Sequence, residues 1–126
     1  MAQGGPGFGY SLFLAQGKPH FVVRSDGEVF DVVGPDKLPL DRSVHLAATL
    51  TADGNLRLFV DGRQVAEAPG ALLPQKPADG LSIGFDSPPP VGAYKSPAPF
   101  AGSLSDIRLY WGTLDSTSLS TWATGR

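Results

Sequence analysis

Short runs in which apolar and polar residues alternate, each closed by glycine, proline or an Asp-Gly pair, fill most of the chain. Gly9 to Ala15 (GYSLFLA) stops at Gln16-Gly17 and leads into Pro19 to Arg24 (PHFVVR), which stops at Ser25-Asp26-Gly27. That succession predicts a hairpin. Glu28 to Val33 (EVFDVV) follows at once, so the simplest reading is a three-strand meander. After a loop carrying Pro35 and Pro39, Ser43 to Thr51 (SVHLAATLT) sets Val44, Leu46, Ala48 and Leu50 against Ser43, His45, Ala47 and Thr49, which gives the strand one oily face.

Asp53-Gly54 separates that strand from Leu56 to Val60 (LRLFV), and Asp61-Gly62 separates LRLFV from Gln64 to Glu67. Asp-Gly between apolar alternations is a strong hairpin cue, because both residues tolerate positive φ, and it fixes the register. Leu81 to Phe85 (LSIGF) and Gly102 to Trp111 (GSLSDIRLYW) predict two more strands. Only Leu114 to Ala123 (LDSTSLSTWA) reads as helical: Asp115 or Ser116 would cap one or two turns that bring Leu119 and Trp122 to one side. Phe13, Phe21, Phe59, Phe85 and Phe100 are the expected core aromatics. About eight short strands at regular spacing predict an all-β antiparallel sandwich or barrel and argue against any βαβ fold.

Composition sharpens this. Sixteen glycines and twelve prolines accompany an ordinary 41% hydrophobic content, so they punctuate many short elements and do not signal disorder. A chain of 126 residues is the size of one domain, taken here as 1–126. The formal net charge is -2, and Arg24, Arg42, Arg57, Arg63 and Arg108 are scattered singly, which argues against nucleic acid as a partner. No apolar run is long enough to span a bilayer and no apolar leader opens the chain, so it reads as a soluble, mature protein with no membrane partner. Without cysteine there is neither a disulfide framework nor a thiolate metal site.

The stretch VHLAATLTADGNLRLFVDGRQVA, then LSIG, then FAGSLSDIRLYWGTL, resembles the laminin G-like branch of the concanavalin A-like jelly rolls. In that family a histidine-containing strand precedes a "YVDG" hairpin, an "IG" strand and a final "F-G-x-I-D-x-V-R-I-Y" strand. His45, Phe59 to Gly62 and Phe100 to Tyr110 stand at those places. More narrowly, AQGG at Ala2 to Gly5, SLFLAQGKPHF at Ser11 to Phe21, and IGFDSPPPVGAYKSPAPFAGSLSDIRL are similar to the C-terminal domain of bacterial arylsulfatase-like proteins. The resemblance implies a jelly-roll sandwich, a structural role for His45, and one or more strands preceding the AQGG position, so that the chain begins inside the domain. It also implies an exported protein, periplasmic or extracellular.

Catalytic machinery is not visible. A sulfatase nucleophile needs Cys or Ser two residues before Pro or Ala and four before Arg; Ser96-Pro97-Ala98-Pro99 is followed by Phe100 in the Arg position. Jelly-roll glucanases place two glutamates on one strand, whereas Glu28 and Glu67 lie in separate segments. A G-x-S-x-G elbow is absent, and His20 and His45 lack metal-ligand spacing.

Binding is the better supported class. Sugar recognition wants exposed aromatic planes beside groups that hold hydroxyls, and Tyr94, Trp111 and Tyr10 are the candidate platforms, with Phe30 a further one by type. Asp86 ends a strand and opens the proline-rich loop Asp86 to Phe100, where neighbouring carbonyls could complete a calcium shell; loop capping is the commoner role for such an aspartate. The other Asp-Gly aspartates are accounted for by turn geometry. The expected partners are a polysaccharide or a neighbouring catalytic domain, with calcium the candidate cofactor. The alternative is a structural domain that packs on another domain or self-associates through a sheet edge.

Overall fold

The computed structural model describes residues 1–5, 7–74, 77, 81–84, 100 and 102–109. Among the described residues eight strands run in chain order: β1 Ala2–Gln3, β2 Gly9–Ala15, β3 Lys18–Ser25, β4 Glu28–Val33, β5 Leu46–Leu50, β6 Asn55–Val60, β7 Arg63–Pro69 and β8 Leu81–Ser82. They form two antiparallel sheets, a five-stranded one in the order β4-β3-β2-β1-β8 and a three-stranded one in the order β5-β6-β7.

The turns dictate this layout. Gln16-Gly17, Asp26-Gly27 and Asp61-Gly62 have φ of 54 and 80, 51 and 80, and 51 and 80 degrees. Two consecutive positive φ values make the two-residue turn whose twist matches that of the flanking strands. Each turn therefore joins directly paired residues: Ala15 with Lys18, Ser25 with Glu28, and Val60 with Arg63. Asp53-Gly54 works differently. The Gly54 N–H donates to the Thr51 carbonyl at 2.8 Å and the Thr51 N–H to the Asn55 carbonyl at 3.1 Å, closing a three-residue loop.

The inward faces of the two sheets meet in one core. Phe21, Val23 and Val32 from the larger sheet pack with Leu56 and Leu58 from the smaller, flanked by Tyr10, Leu12, Phe30, Leu46, Ala48 and Leu50. These are alternate positions along each strand, as a half-buried sheet requires. A bulge opposite Leu58 and Phe59 sets Leu58 against Ala66 and Phe59 against Gln64, leaving Val65 as the extra residue. Through that bulge both Val65 and Ala66 pack against the core, which strict alternation would forbid.

Several expectations change. β5 is shorter than Ser43 to Thr51, because His45 leaves the ladder to exchange hydrogen bonds with Asp61: the Asp61 N–H donates to its carbonyl at 2.8 Å and its own N–H to Asp61 Oδ1 at 3.0 Å. The strand beginning at Leu81 stops at Ser82, and Ile83-Gly84 bends away. Residues 102–109 form no strand, and Asp106 takes a φ of 53 degrees in mid-segment, which turns the backbone out of the extended conformation. Among the aromatics, Phe21 and Phe59 are buried, whereas Phe13 lies on the outer face because it is one residue out of phase with Tyr10 and Leu12. Phe100 is exposed, its N–H donating to the Gly84 carbonyl at 2.7 Å. Phe85 and residues 114–123, where the sequence predicts a helical turn, lie outside the described residues.

Candidate binding surface

The outer face of the five-stranded sheet carries an ordered aromatic, imidazole and carboxylate group. Phe13 lies three residues before the Gln16-Gly17 turn and His20 three after it, so the two-residue turn sets them directly opposite each other. Their rings stack with centroids 4.9 Å apart and 12 degrees between planes. The turn at Asp26-Gly27 fixes β4 against β3, pairing His20 with Val33 and Val22 with Asp31. Asp31 thus reaches His20 diagonally, and its two oxygens lie 3.3 and 3.4 Å from His20 Nδ1. A carboxylate only accepts, so Nδ1 donates in this contact, and Nε2 is the ring's other hydrogen-bonding atom. The His20 side chain is 18% exposed and that of Asp31 is 40% exposed.

Next to this group Ser82, Ala2, Ser11 and Val22 are successive cross-strand partners and all are buried, so that part of the face is closed to solvent. At the far end Arg24 donates from Nη1 to the Gly5 carbonyl at 2.9 Å, which ties the connection between β1 and β2 to the sheet.

Tyr10 belongs to the opposite face. It packs against the core, its hydroxyl donates to Gln3 Oε1 at 2.8 Å, and burial pushes its phenol above the ordinary value. Phe30 also packs on the core. Tyr94, Trp111 and Asp86 lie outside the described residues.

The smaller sheet bears a second polar group, built round Arg57. Its guanidinium donates to Glu67 Oε2 at 3.3 Å, to Asp53 Oδ2 at 3.5 Å and to Thr51 Oγ1 at 2.7 Å. Thr51 also bonds Asp53; that hydrogen bond, the Asn55 N–H and then Arg57 hold the Asp53 carboxyl below its ordinary range. Each charge here is met by another within the group, which leaves little to offer a ligand. Asp61 is similarly engaged: the His45 N–H, then Arg42 at 2.9 Å, hold its carboxyl low. Among the described residues no group of three or more His, Cys, Asp or Glu side chains could hold a metal ion.

Residues 1–120 match the sequence model of the concanavalin A-like lectin/glucanases superfamily. The chain belongs to this superfamily. Its two antiparallel sheets and helix-free described region are those of the concanavalin A-like sandwich, and membership supports a binding or accessory module. No curated protein matches the chain. Among solved structures it is similar to an S-layer domain-containing protein from Clostridium thermocellum, with 24% identity, a TM-score of 0.49, and coverage of 94% of this chain and 57% of that one. The chain thus spans little more than half the length of that structure.

Within this superfamily domain, the Phe13, His20 and Asp31 group was the part that residue types alone did not single out. Phe13 reads as core and His20 as an isolated strand residue. Their juxtaposition was nonetheless encoded, since the spacing about Gln16-Gly17 places one opposite the other once the turn is given two residues.

Proposed function

We propose that this is a non-catalytic carbohydrate-binding accessory module whose contact surface is the outer face of the larger sheet at Phe13, His20 and Asp31. The observation that carries the reading is the stacked pair with its anchored imidazole: ring centroids 4.9 Å apart and Nδ1 held by Asp31. A sugar presents apolar C–H faces and ringed hydroxyls, and it is recognised by an apolar ring beside fixed hydrogen-bonding groups. Here the ring pair supplies the apolar floor. Nε2 and the exposed oxygens of Asp31 supply hydrogen-bonding groups for hydroxyls. Superfamily membership supports the class of ligand, and the likeness of the YKSPAPF region to arylsulfatase-like proteins supports a setting beside a catalytic domain in an exported polypeptide.

The Asp31 and His20 contact is solvent-facing and long, and such pairs contribute between about 0 and 1 kcal/mol to stability. D31A therefore leaves the fold intact and isolates binding, whereas H20A also removes a largely covered ring stacked on Phe13, so its thermal midpoint is read beside its affinity. Calorimetric titration with sulfated and neutral polysaccharides, with and without calcium, is the test. Saturable heat that falls at least about tenfold in affinity in H20A and D31A is the expected result, since each removes a hydrogen-bonding group from the contact. Heat unchanged in both variants, or none with any polysaccharide, would refute the assignment.

A further inference from the structure

The outer face of the larger sheet is a grid whose rows run across the strands. In one row Phe13, His20 and Val33 are successive cross-strand partners on β2, β3 and β4. In the next, Ser82, Ala2, Ser11, Val22 and Asp31 follow one another across all five strands. The first four of these are buried, so only Asp31, at the β4 end, reaches solvent. On the other side, Ala15 and Lys18 make one further row before Gln16-Gly17 turns the chain. Accessible surface is thereby confined to a band that is short along the strands and long across them. The two rows outside the closed one lie about 7 Å apart, at about 3.3 Å per residue. Across the sheet, β2 to β4 covers two strand spacings, about 10 Å. Beyond β4 no described strand follows, so the band is open at that edge.

Val33 carries the apolar floor one strand past the ring pair. It is the partner of His20 on the side away from Phe13, and it is 40% exposed. Asp31 precedes it by two residues on the same face, and its carboxylate reaches His20 Nδ1 at 3.3 Å, so that it flanks the junction between the ring pair and Val33. A pyranose ring is about 5 Å across, close to one strand spacing. One sugar seated over Phe13 and His20 would leave Val33 bare. A second, linked to the first, would cover the valine and pass its linkage beside Asp31, whose oxygens accept from hydroxyls of either unit.

Resting on the carbohydrate-binding reading above, we propose that the site takes two adjoining units of a linear glycan laid across β2, β3 and β4, with Val33 the floor of the second unit. The glycan continues over the open β4 edge, so the interior of a polymer fits as well as its end. Calorimetry with fragments of one to six units, cut from whichever polysaccharide binds the wild type, tests this. Affinity is expected to rise at least about tenfold from one unit to two and to level off thereafter. Val33→Ala is expected to weaken two-unit binding by roughly threefold, since a half-exposed pair of methyl groups is lost, and to leave one-unit binding unchanged. Val33→Tyr enlarges the floor at an edge position that suits an aromatic residue. It is expected to tighten two-unit binding and again to leave one-unit binding unchanged, a gain that unfolding cannot produce. Equal affinities for one and two units, or Val33 variants that change neither, would overturn the two-unit arrangement while leaving the carbohydrate reading in place. No heat with any polysaccharide would remove that reading and this one with it.

Discussion

Two segments carry the same run of two aliphatic residues about an arginine, Leu56-Arg57-Leu58 and Ile107-Arg108-Leu109, and meet opposite fates. In β6 (NLRLFV), Leu56 and Leu58 are 0% exposed, and the strand is hydrogen-bonded to β5 on one side and β7 on the other. In 104–109 (LSDIRL), Leu104, Ile107 and Leu109 are 48%, 43% and 54% exposed, and none of these residues lies in a strand. Short turns deliver both neighbours to β6 in a fixed register. The later segment has no ladder to any described strand, and Asp106 breaks its extended course. Alternation prepares a chain for a sheet, but partners on its edges and a layer over its apolar face make the strand.

Breaking the better-held segment should have the largest effect. Leu58→Ala removes a fully buried side chain from the centre of the core, and the expected loss is about 2–5 kcal/mol, the transfer term plus the cavity it leaves. Urea unfolding should show a lower midpoint at an unchanged slope. A loss under about 1 kcal/mol would mean that the smaller sheet is not packed as described.

The same contrast explains what could be read from sequence. The bounds of β2 and β4 coincide with the alternating runs, because a two-residue turn ends β2 and another begins β4, and each packs one face on the core. β1 was not legible: two residues cannot show a period, and Ala2–Gln3 is a strand only because β2 and β8 flank it. The burial of Val65 depended on a bulge that no local pattern announces. At the candidate surface, Phe13 and His20 were recognisable as strand residues, but their stacking is a property of register. Asp31 joins them only through a second register, that of β3 with β4.

A smaller effect is expected at the device that anchors β6 to its neighbours. Asp61 occupies a left-handed position in the β6–β7 turn and accepts from the His45 N–H and Arg42, bridging that turn to the chain entering β5. Asparagine tolerates the same backbone, so Asp61→Asn tests the charge. A carboxyl held low contributes stability that is complete above about pH 4 and disappears as the pH falls through its lowered value. The variant should therefore be less stable at pH 7, by no more than about 1 kcal/mol because the site is solvent-screened. The gap should close below about pH 4. A gap that widens on acidification would mean that Asp61 is held by something other than these donors.

The smallest effect belongs to the exposed segment, and it sharpens the comparison most. Leu104→Ser and Leu109→Ser change apolar side chains of this segment, and Leu109 alternates with Ile107 as Leu58 does with Leu56, so any effect of pattern alone would appear at Leu109 too. Half-exposed and outside a strand, they should each alter stability by no more than about 0.5 kcal/mol, read by the same urea unfolding. The ratio between this value and that for Leu58→Ala measures how much of a strand's contribution comes from its neighbours. Losses above about 1 kcal/mol at both positions would place the two leucines against a covering layer in solution, and the contrast between the segments would then fail.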